Sequence, residues 1–330
     1  MKRILALGLM MMMASMTQAA TLKIATIAPD GTNWMKEMKK AAKEIKAETN
    51  GRVKIKFFPG GVQGSDKSVL RKMKIGQLQG GAVSAGALGH ITNMVQLYSL
   101  PFTFKDDAEV AMIREEFDHY LIDGLKEKGY EVLGLTGGGF AYIMGNKPLK
   151  APADFQGSKL WAPEGDTVTQ TVFKNGGVDP VVLPISDVYT SLQTGLIDTV
   201  GVNMTASIAL QWHTKLATVT DFPILYLMGL LIVDEKAFRK ISPEDQAIVK
   251  SKMMATYAAL DEQNIQDEAS AKQALIKSGM QFVTPTEEEK VEWKELADKS
   301  MKQLATEDVY PLEVYQQLQT RLETLREAKP

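Results

Sequence analysis

The chain has 330 residues, 45% of them hydrophobic and 24% charged, a composition typical of a globular protein. Its length suggests two domains rather than one. Its formal net charge of −2 gives no electrostatic reason to expect nucleic acid or an anionic membrane surface as a partner. It contains no cysteine, which excludes disulfides, thiolate metal sites, thiol nucleophiles and the lipid anchor of a bacterial lipoprotein.

Residues 1–19 have the pattern of a secretory signal. Lys2 and Arg3 give a positive start, and residues 4–14 form an apolar run that is too short to span a bilayer. Thr17 and Ala19 then occupy the −3 and −1 positions of a cleavage site. We expect cleavage after Ala19 and export of a lipid-free chain to the periplasm. A buried N-terminal helix is the alternative.

The first half of the mature chain alternates strands and helices. Residues 21–28 and 53–59 are predicted strands, and the helix between them begins at a cap within 30–32. Such a β-α-β unit predicts a parallel sheet. The sequence then predicts a helix over 65–79, a strand and turn over 80–89, a helix over 106–129, and a strand, glycine-rich turn and strand over 130–146.

The second half repeats this alternation and then becomes helical. Strands are predicted at 159–163, 178–184 and 197–202, with helices at 166–177, 185–196 and 206–216. The run 224–233 reads as a buried strand that returns to the first region, because it is too short to cross a membrane. From residue 242 onward the pattern is almost entirely helical.

These elements predict an α/β fold with two lobes. More than one strand passes between the lobes, which favours a cleft that closes about a hinge. We expect lobe I to comprise 21–145 plus about 229–270, and lobe II to comprise 146–228 plus about 280–330. Long C-terminal helices would cover both lobes, although their amphipathic faces would also permit a dimer.

No residue pattern indicates catalysis. His90, His119 and His213 are scattered and lack zinc-ligand spacing, and the chain has neither a G-x-S-x-G elbow nor a P-loop. The glycine-rich segments GGVQG and GGGF lack the context of a dinucleotide site and are more typical of turns. We therefore predict no enzyme, metal or cofactor. An enzyme remains the rival class.

Aromatic residues are the remaining candidates for binding. Trp34 opens the first helix next to the end of the first strand, and Trp161 and Tyr189 lie at strand ends or first helical turns in the second lobe. Ligands of open α/β sheets lie beyond the carboxyl ends of the strands, so these rings predict an aromatic-lined cleft. Packing in an ordinary core is the alternative for each ring.

Four segments carry a resemblance to a known family. They are NGRVKIKFFPGGVQGSDKSVLRKMKIGQL, LPFTF, DFQGSKLWAP and ISDVYTSLQTGLIDTV, in this order along the chain. Together they resemble the DctP-like substrate-binding proteins of TRAP transporters. The resemblance implies a two-lobed periplasmic-binding-protein architecture with hinge strands and long C-terminal helices. It also implies a periplasmic receptor that delivers a small solute to a sodium-driven membrane permease.

The chain departs from this family where a carboxylate ligand is usually held. The resemblance places an arginine, which would clamp the carboxylate with two hydrogen bonds, at the position of Trp161. A second family arginine falls within Gly139–Ala141, which contains none, and a family asparagine falls at about Val202, with Asn203 one place on.

These departures predict that the ligand is not a simple dicarboxylate. We favour an apolar or amphipathic organic molecule. A small organic cation is an alternative, since Trp34, Trp161 and Tyr189 could stack on it while Glu164 or Asp166 neutralises it. An acid held by backbone N–H groups at helix N-termini is another.

The sequence thus predicts a ligand site and a set of partners. The candidate ligand-binding residues are Trp34, Ser84, Phe140, Trp161, Glu164, Tyr189 and Asn203. The expected partners are a small organic solute, the subunits of a TRAP permease and a helical-repeat periplasmic protein, with no nucleic acid. A ligand sensor that acts with a signalling partner is the alternative function.

Overall fold

A computed structural model describes residues 19–328. The predicted signal peptide, 1–19, therefore lies outside the described residues except for Ala19. The strands are β1 (Ala20–Thr26), β2 (Val53–Phe58), β3 (Gly80–Ser84), β4 (Tyr130–Gly145), β5 (Trp161–Pro163), β6 (Val181–Leu183), β7 (Thr199–Val202), β8 (Thr218–Thr220), β9 (Leu225–Asp234) and β10 (Gln281–Val283). The helices are α1 (Asn33–Glu48), α2 (Asp66–Lys74), α3 (Asp107–Glu127), α4 (Thr167–Asn175), α5 (Val188–Thr194), α6 (Met204–Ala209), α7 (Glu235–Phe238), α8 (Pro243–Lys277), α9 (Glu287–Thr306) and α10 (Leu312–Ala328).

Local sequence explains where the early elements begin. The side chain of Thr32 accepts a hydrogen bond from the backbone N–H of Met35 at the start of α1, and Ser65 does the same for Ser68 at α2. The apolar positions of α1 recur at helical spacing and are buried against the sheet.

The molecule is a two-lobed α/β protein with mixed sheets. In lobe I, β1 pairs in parallel with β2 and β3, as the β-α-β pattern predicted, and β9 runs antiparallel to β3. In lobe II, β7 and β8 pair antiparallel with the end of β4, β10 lies parallel to β8, and β5 and β6 form a separate two-stranded sheet. The main strand order is β10-β8-β4-β9-β3-β1-β2, and β7 is an eighth strand that pairs with β4 outside this order.

The strand β4 joins the two lobes. The prediction of a strand, a glycine-rich turn and a second strand over 130–146 is wrong, because β4 is one strand of 16 residues. Its first part pairs with β9 in lobe I, and Tyr142–Gly145 pairs with β7 in lobe II. Two register shifts, at Leu133 and Gly138, absorb the irregular glycine-rich sequence without a turn.

The C-terminal helices divide between the lobes. Helix α8, 35 residues long, packs on β4, α1 and α6 and so runs along both lobes. Helix α9 packs on α4 in lobe II, whereas α10 packs on α3 in lobe I. The expected assignment of 280–330 to lobe II is therefore wrong for α10, because Leu318 and Leu322 are buried in the lobe I core.

Two smaller features differ from the sequence prediction. The short strands β8 and β10 were not predicted, because three residues carry too little periodicity to be recognised. The helix predicted over 206–216 is interrupted at Gln211, whose φ of 61° ends α6 before a separate 3-10 turn. No helix within residues 19–328 has the length and hydropathy needed to cross a membrane.

Candidate binding cleft between the lobes

The two lobes are in contact along a seam. A Cβ atom at Gly86 of lobe I would lie only 3.3 Å from the Cβ of Asp166 in lobe II, so glycine permits this close approach. The Lys67 Nζ lies 3.3 Å from the Glu164 Oε1 and forms an ion pair across the seam. An open volume of only about 10 Å³ remains there. The described conformation is therefore closed.

Acidic side chains line the seam from both lobes. The Oδ2 of Asp66 accepts hydrogen bonds from the Ser84 backbone N–H at 3.0 Å and from its hydroxyl at 2.8 Å. Burial nevertheless raises the pKa of Asp66, and the nearby Glu164 adds to this effect. These contacts fix the end of β3 against the start of α2, within lobe I.

Asp166 supplies the matching carboxylate from lobe II. It caps α4, since its Oδ1 accepts from the Thr169 backbone N–H at 3.0 Å and its Oδ2 accepts from the Thr169 hydroxyl at 2.5 Å. Burial raises the pKa of this carboxyl as well. The N-terminus of α4, which could otherwise hold an anionic ligand, is occupied by the protein's own carboxylate.

The N-terminus of α6 is occupied in the same way. The Glu268 carboxylate on α8 accepts from the backbone N–H groups of Met204 at 3.1 Å and Thr205 at 2.9 Å. The Asn203 Oδ1 accepts from the Ala206 N–H at 3.0 Å, and its amide nitrogen donates to the carbonyl of Gly138 on β4. Asn203 thus links lobe II to β4 through its side-chain amide.

Trp161 lies at the inner end of the seam. Its indole N–H donates to the Leu183 carbonyl at 3.0 Å, and its ring packs edge-on against Trp212 with centroids 5.2 Å apart. The side chain is 3% exposed and borders an apolar cavity of about 50 Å³. The other walls of this cavity include Ala141, Val172, Phe173, Leu227 and Trp293, with Asp166 at one side.

A larger apolar pocket adjoins the outer end of the seam. It has a volume of about 590 Å³, which suits a small organic molecule. Ile27 borders both this pocket and the seam. Lobe I contributes the end of β1 and Trp34, lobe II contributes α6 with Ala206 and Leu210, and α8 lies along one side.

Four of the seven predicted residues line the seam, the inner cavity or the outer pocket. Ser84 and Glu164 line the seam, Trp161 the inner cavity and Trp34 the outer pocket. Their role in ligand binding stays a prediction.

The other three predicted residues lie elsewhere. Phe140 lines a separate cavity on the opposite face of β4, because alternate residues of a strand point to opposite faces and Ala141 is the one that faces the cleft. Tyr189 packs beside Lys215, with the ammonium 5.6 Å from the ring centroid, and is not among the residues that line the seam, the inner cavity or the outer pocket. Asn203 is the cap of α6 already described.

Sequence reasoning missed other residues of the cleft. Asp66 is the first residue of α2, and its position beyond the carboxyl end of the sheet places it at the cleft. Ile27 and Ala206 are small or aliphatic and carry no chemical signal, so only the fold reveals them.

Negative charge predominates in the cleft. Across the described range 19–328, Lys67 is the one basic side chain that lines the seam, the inner cavity or the outer pocket. It is 76% exposed and already paired with Glu164. A carboxylate ligand would therefore meet Asp66, Asp166 and Glu164 without a free cation to balance it.

Comparisons with known proteins identify a family. The model of bacterial extracellular solute-binding protein family 7, DctP, matches residues 24–308. The 2,3-diketo-L-gulonate-binding periplasmic protein of Escherichia coli K12 is 27% identical over 217 residues, which are 63% of this chain and 64% of that protein. The C4-dicarboxylate-binding periplasmic protein of Rhodobacter capsulatus is 28% identical over 195 residues, 58% of each chain. The chain spans between 58% and 74% of the lengths of the first curated relatives that it matches.

Solved structures share the fold. A TRAP periplasmic solute-binding protein from Shewanella oneidensis with bound succinate superposes with a TM-score of 0.85 at 20% identity, covering 92% of this chain and 99% of that one. A protein of the same kind from Haemophilus influenzae with bound L-gulonate gives a TM-score of 0.84 at 20% identity, with the same coverage of each chain. These likenesses support the two-lobed architecture.

Proposed function

Because the chain belongs to the DctP family of bacterial extracellular solute-binding proteins, family 7, whose members bind solutes and are not enzymes, we propose that it is the periplasmic receptor of a TRAP transporter. It binds a small organic solute between its lobes and delivers it to the membrane permease. The contacts that close the seam support this proposal, because a receptor of this kind must hold its solute in a closed form and release it by opening.

The ligand we propose is apolar or amphipathic and is not a simple dicarboxylate. The observation that carries this is the charge of the cleft, in which three carboxylates face one exposed lysine that is already paired. The apolar walls around Trp161 and Trp34 would instead gain from contact with carbon.

The named relatives and neighbours bind acids, which makes an acid the first alternative. An acidic ligand has little support in this cleft. The helix N-termini that could bind its carboxylate in place of an arginine are already occupied by Asp166 and Glu268. A small organic cation keeps more support, since Asp166 and Trp161 border the same inner cavity.

The first experiment identifies what the protein carries. The mature protein, purified without refolding, is analysed by native mass spectrometry and its solute is extracted under denaturing conditions. Titration calorimetry then compares matched pairs, such as 1-octanol and octanoate, with succinate and L-gulonate added. We expect the neutral molecule to bind and the carboxylates to fail. Tight binding of succinate or L-gulonate would contradict the proposed ligand class and leave the receptor role intact.

A second experiment tests the outer pocket. The variant Ala206→Trp places an indole in the 590 Å³ space, and we expect it to weaken binding of the solute at least tenfold. Ala269→Trp, on an exposed position of α8 outside the pocket, is the matched control. Equal affinities of the two variants would place the solute elsewhere in the cleft.

Delivery needs its own measurement. Uptake of the labelled solute into vesicles that contain the TRAP permease should depend on this protein and on a sodium gradient. Binding without any stimulation of uptake would favour the alternative of a sensor with a signalling partner.

A further inference from the structure

A second large cavity lies on the face of β4 opposite the inner cavity. It has a volume of about 520 Å³ and is lined by residues of α3, β4, β9 and α8. Strand β4 lies between it and the inner cavity of the cleft, since Phe140 and Tyr142 point into it while Ala141 points into the inner cavity. Asn264 of α8 borders both this cavity and the outer pocket. Neither the family match nor the proposed receptor function assigns a role to it.

Aromatic rings line this cavity. Phe140 and Tyr142 come from β4 and Tyr226 from β9, and the rings of Phe140 and Tyr226 pack edge-on with centroids 5.1 Å apart. Aliphatic carbon of Val110, Ala111, Ala258 and Ile265 completes the apolar lining. A ligand with substantial carbon surface would therefore find contacts here.

The hydroxyl of Tyr226 has no hydrogen-bond partner within residues 19–328, although the residue is only 6% exposed. Burial raises the pKa of this phenol, and the carboxylate of Asp107 adds to the effect, so the group is a neutral hydroxyl that can donate or accept. A buried tyrosine usually has a partner for its hydroxyl. Because Tyr226 lines the cavity, water or a bound ligand can supply the partner there.

The polar lining is strongly acidic. Six carboxylates border the cavity: Asp107, Glu115, Asp118, Asp261, Glu262 and Glu268. The one basic side chain among the described lining residues is Arg114, which is already paired with Asp118 at 3.0 Å and with Asp261 at 2.5 Å. Asp107 is half-buried and accepts no side-chain hydrogen bond from any described residue. A cation would be attracted by this excess of negative charge.

We propose that this cavity binds an organic cation, a molecule that joins a protonated amine or ammonium group to an apolar body. The ammonium would lie near Asp107 and the aromatic faces, with Tyr226 as a hydrogen-bond partner. A bare metal ion fits less well, because no group of three or more suitable side chains within residues 19–328 converges to hold one.

The test uses three probes of similar shape and different charge. Binding of 2-phenylethylammonium, 2-phenylethanol and 3-phenylpropionate to the mature protein is measured by titration calorimetry at low ionic strength. We expect the cation to bind at least tenfold more tightly than the neutral alcohol, and the anion to show no binding. Equal affinity for the cation and the alcohol would overturn the proposal.

Variants then locate the bound cation. Asp107→Asn and Tyr226→Phe should each weaken binding of 2-phenylethylammonium about threefold to tenfold, whereas Asp123→Asn, an exposed position on the same helix that does not line the cavity, should leave it unchanged. Thermal melting checks that all three variants fold. If Asp166→Asn abolishes binding while Asp107→Asn has no effect, the cation lies in the interlobe cleft and the second site is refuted.

Discussion

Trp161 packs in the core of lobe II and also forms part of the cleft wall. Its indole N–H is directed at the Leu183 carbonyl and its edge at Trp212, so the ring orientation is fixed before any solute arrives. A guanidinium in its place would lie among apolar side chains with Asp166 as a neighbour. The exchange of charge for an aromatic ring therefore agrees with the apolar walls around it.

At the same scale, Gly134 of β4 should not tolerate a side chain. A Cβ there would overlap the ring of Tyr257, which is buried in the lobe I core. We expect Gly134→Ala to lower the free energy of unfolding by about 1–3 kcal/mol through overpacking. Urea denaturation measures the change. Gly201→Ala is the control, because its added Cβ would meet only Ile143 at 3.9 Å, and equal losses in both variants would contradict the packing argument.

Among the elements, α10 is attached to lobe I by a buried ion pair. The Glu109 carboxylate, 3% exposed on α3, accepts two hydrogen bonds from the Arg326 guanidinium, each 2.8 Å long, and a third from the Lys105 N–H. Burial alone would raise the pKa of Glu109, but Arg326 and the Lys105 N–H hold it below the ordinary value. The carboxylate is therefore charged throughout the neutral range.

Removal of Arg326 should destabilise the protein. Arg326→Leu leaves Glu109 buried without its partner, and we expect a loss of about 2–4 kcal/mol at neutral pH. Arg321→Leu, which breaks the exposed pair with Glu116 on the same two helices, should change stability little. Similar losses in the two variants would show that burial of the pair is unimportant.

The same pair predicts a pH dependence. Because the folded-state pKa of Glu109 is lowered, its contribution to stability is present above the ordinary glutamate pKa and is lost as pH falls through the folded value. Urea denaturation of the original protein and of Arg326→Leu between pH 7 and pH 3 should therefore show the two stabilities converging as the pH falls. A constant difference over this range would contradict the assignment.

Elements with a strong period could be predicted from the sequence, and those defined by long-range pairing could not. Helix α1 is close to its predicted range because its apolar residues recur at helical spacing, and β9 is close to its range because a short continuous apolar run is typical of a buried strand. The glycines of β4 were read as a turn, yet they permit close packing against Tyr257 and Tyr226. Four of the predicted residues do border the cleft: Ser84, Glu164, Trp161 and Trp34. Phe140 points to the opposite face of β4, which could not be predicted because the sequence does not show the register of the strand.

For the whole molecule, an engineered disulfide should lock the two lobes in the closed arrangement. A Cβ at Gly61 of lobe I would lie 3.9 Å from the Cβ of Ser186 in lobe II, within the range of a disulfide. The natural chain has no cysteine, so the pair Gly61→Cys with Ser186→Cys has no competing thiol. We expect oxidation to form the bond and to give a single compact scattering profile, with retention of any solute carried from the cell.

Reduction of the same protein provides the control, since the strain of a side chain at Gly61, where φ is 71°, is present in both forms. The reduced protein should exchange its solute freely and scatter as a mixture of open and closed forms. Failure of the two cysteines to join under mild oxidant would contradict the closed arrangement of the lobes.

The position of α10 has a consequence for how the protein is made. Leu318 and Leu322 complete the core of lobe I, whose first strand begins at Ala20, so nearly the whole chain separates the two ends of that core. A ribosome must therefore release almost every residue before lobe I can be finished. Until then the apolar surface of lobe I that α10 covers would stay exposed on the growing polypeptide. Chaperones could bind this surface, and the incompletely folded chain could still pass through a narrow pore.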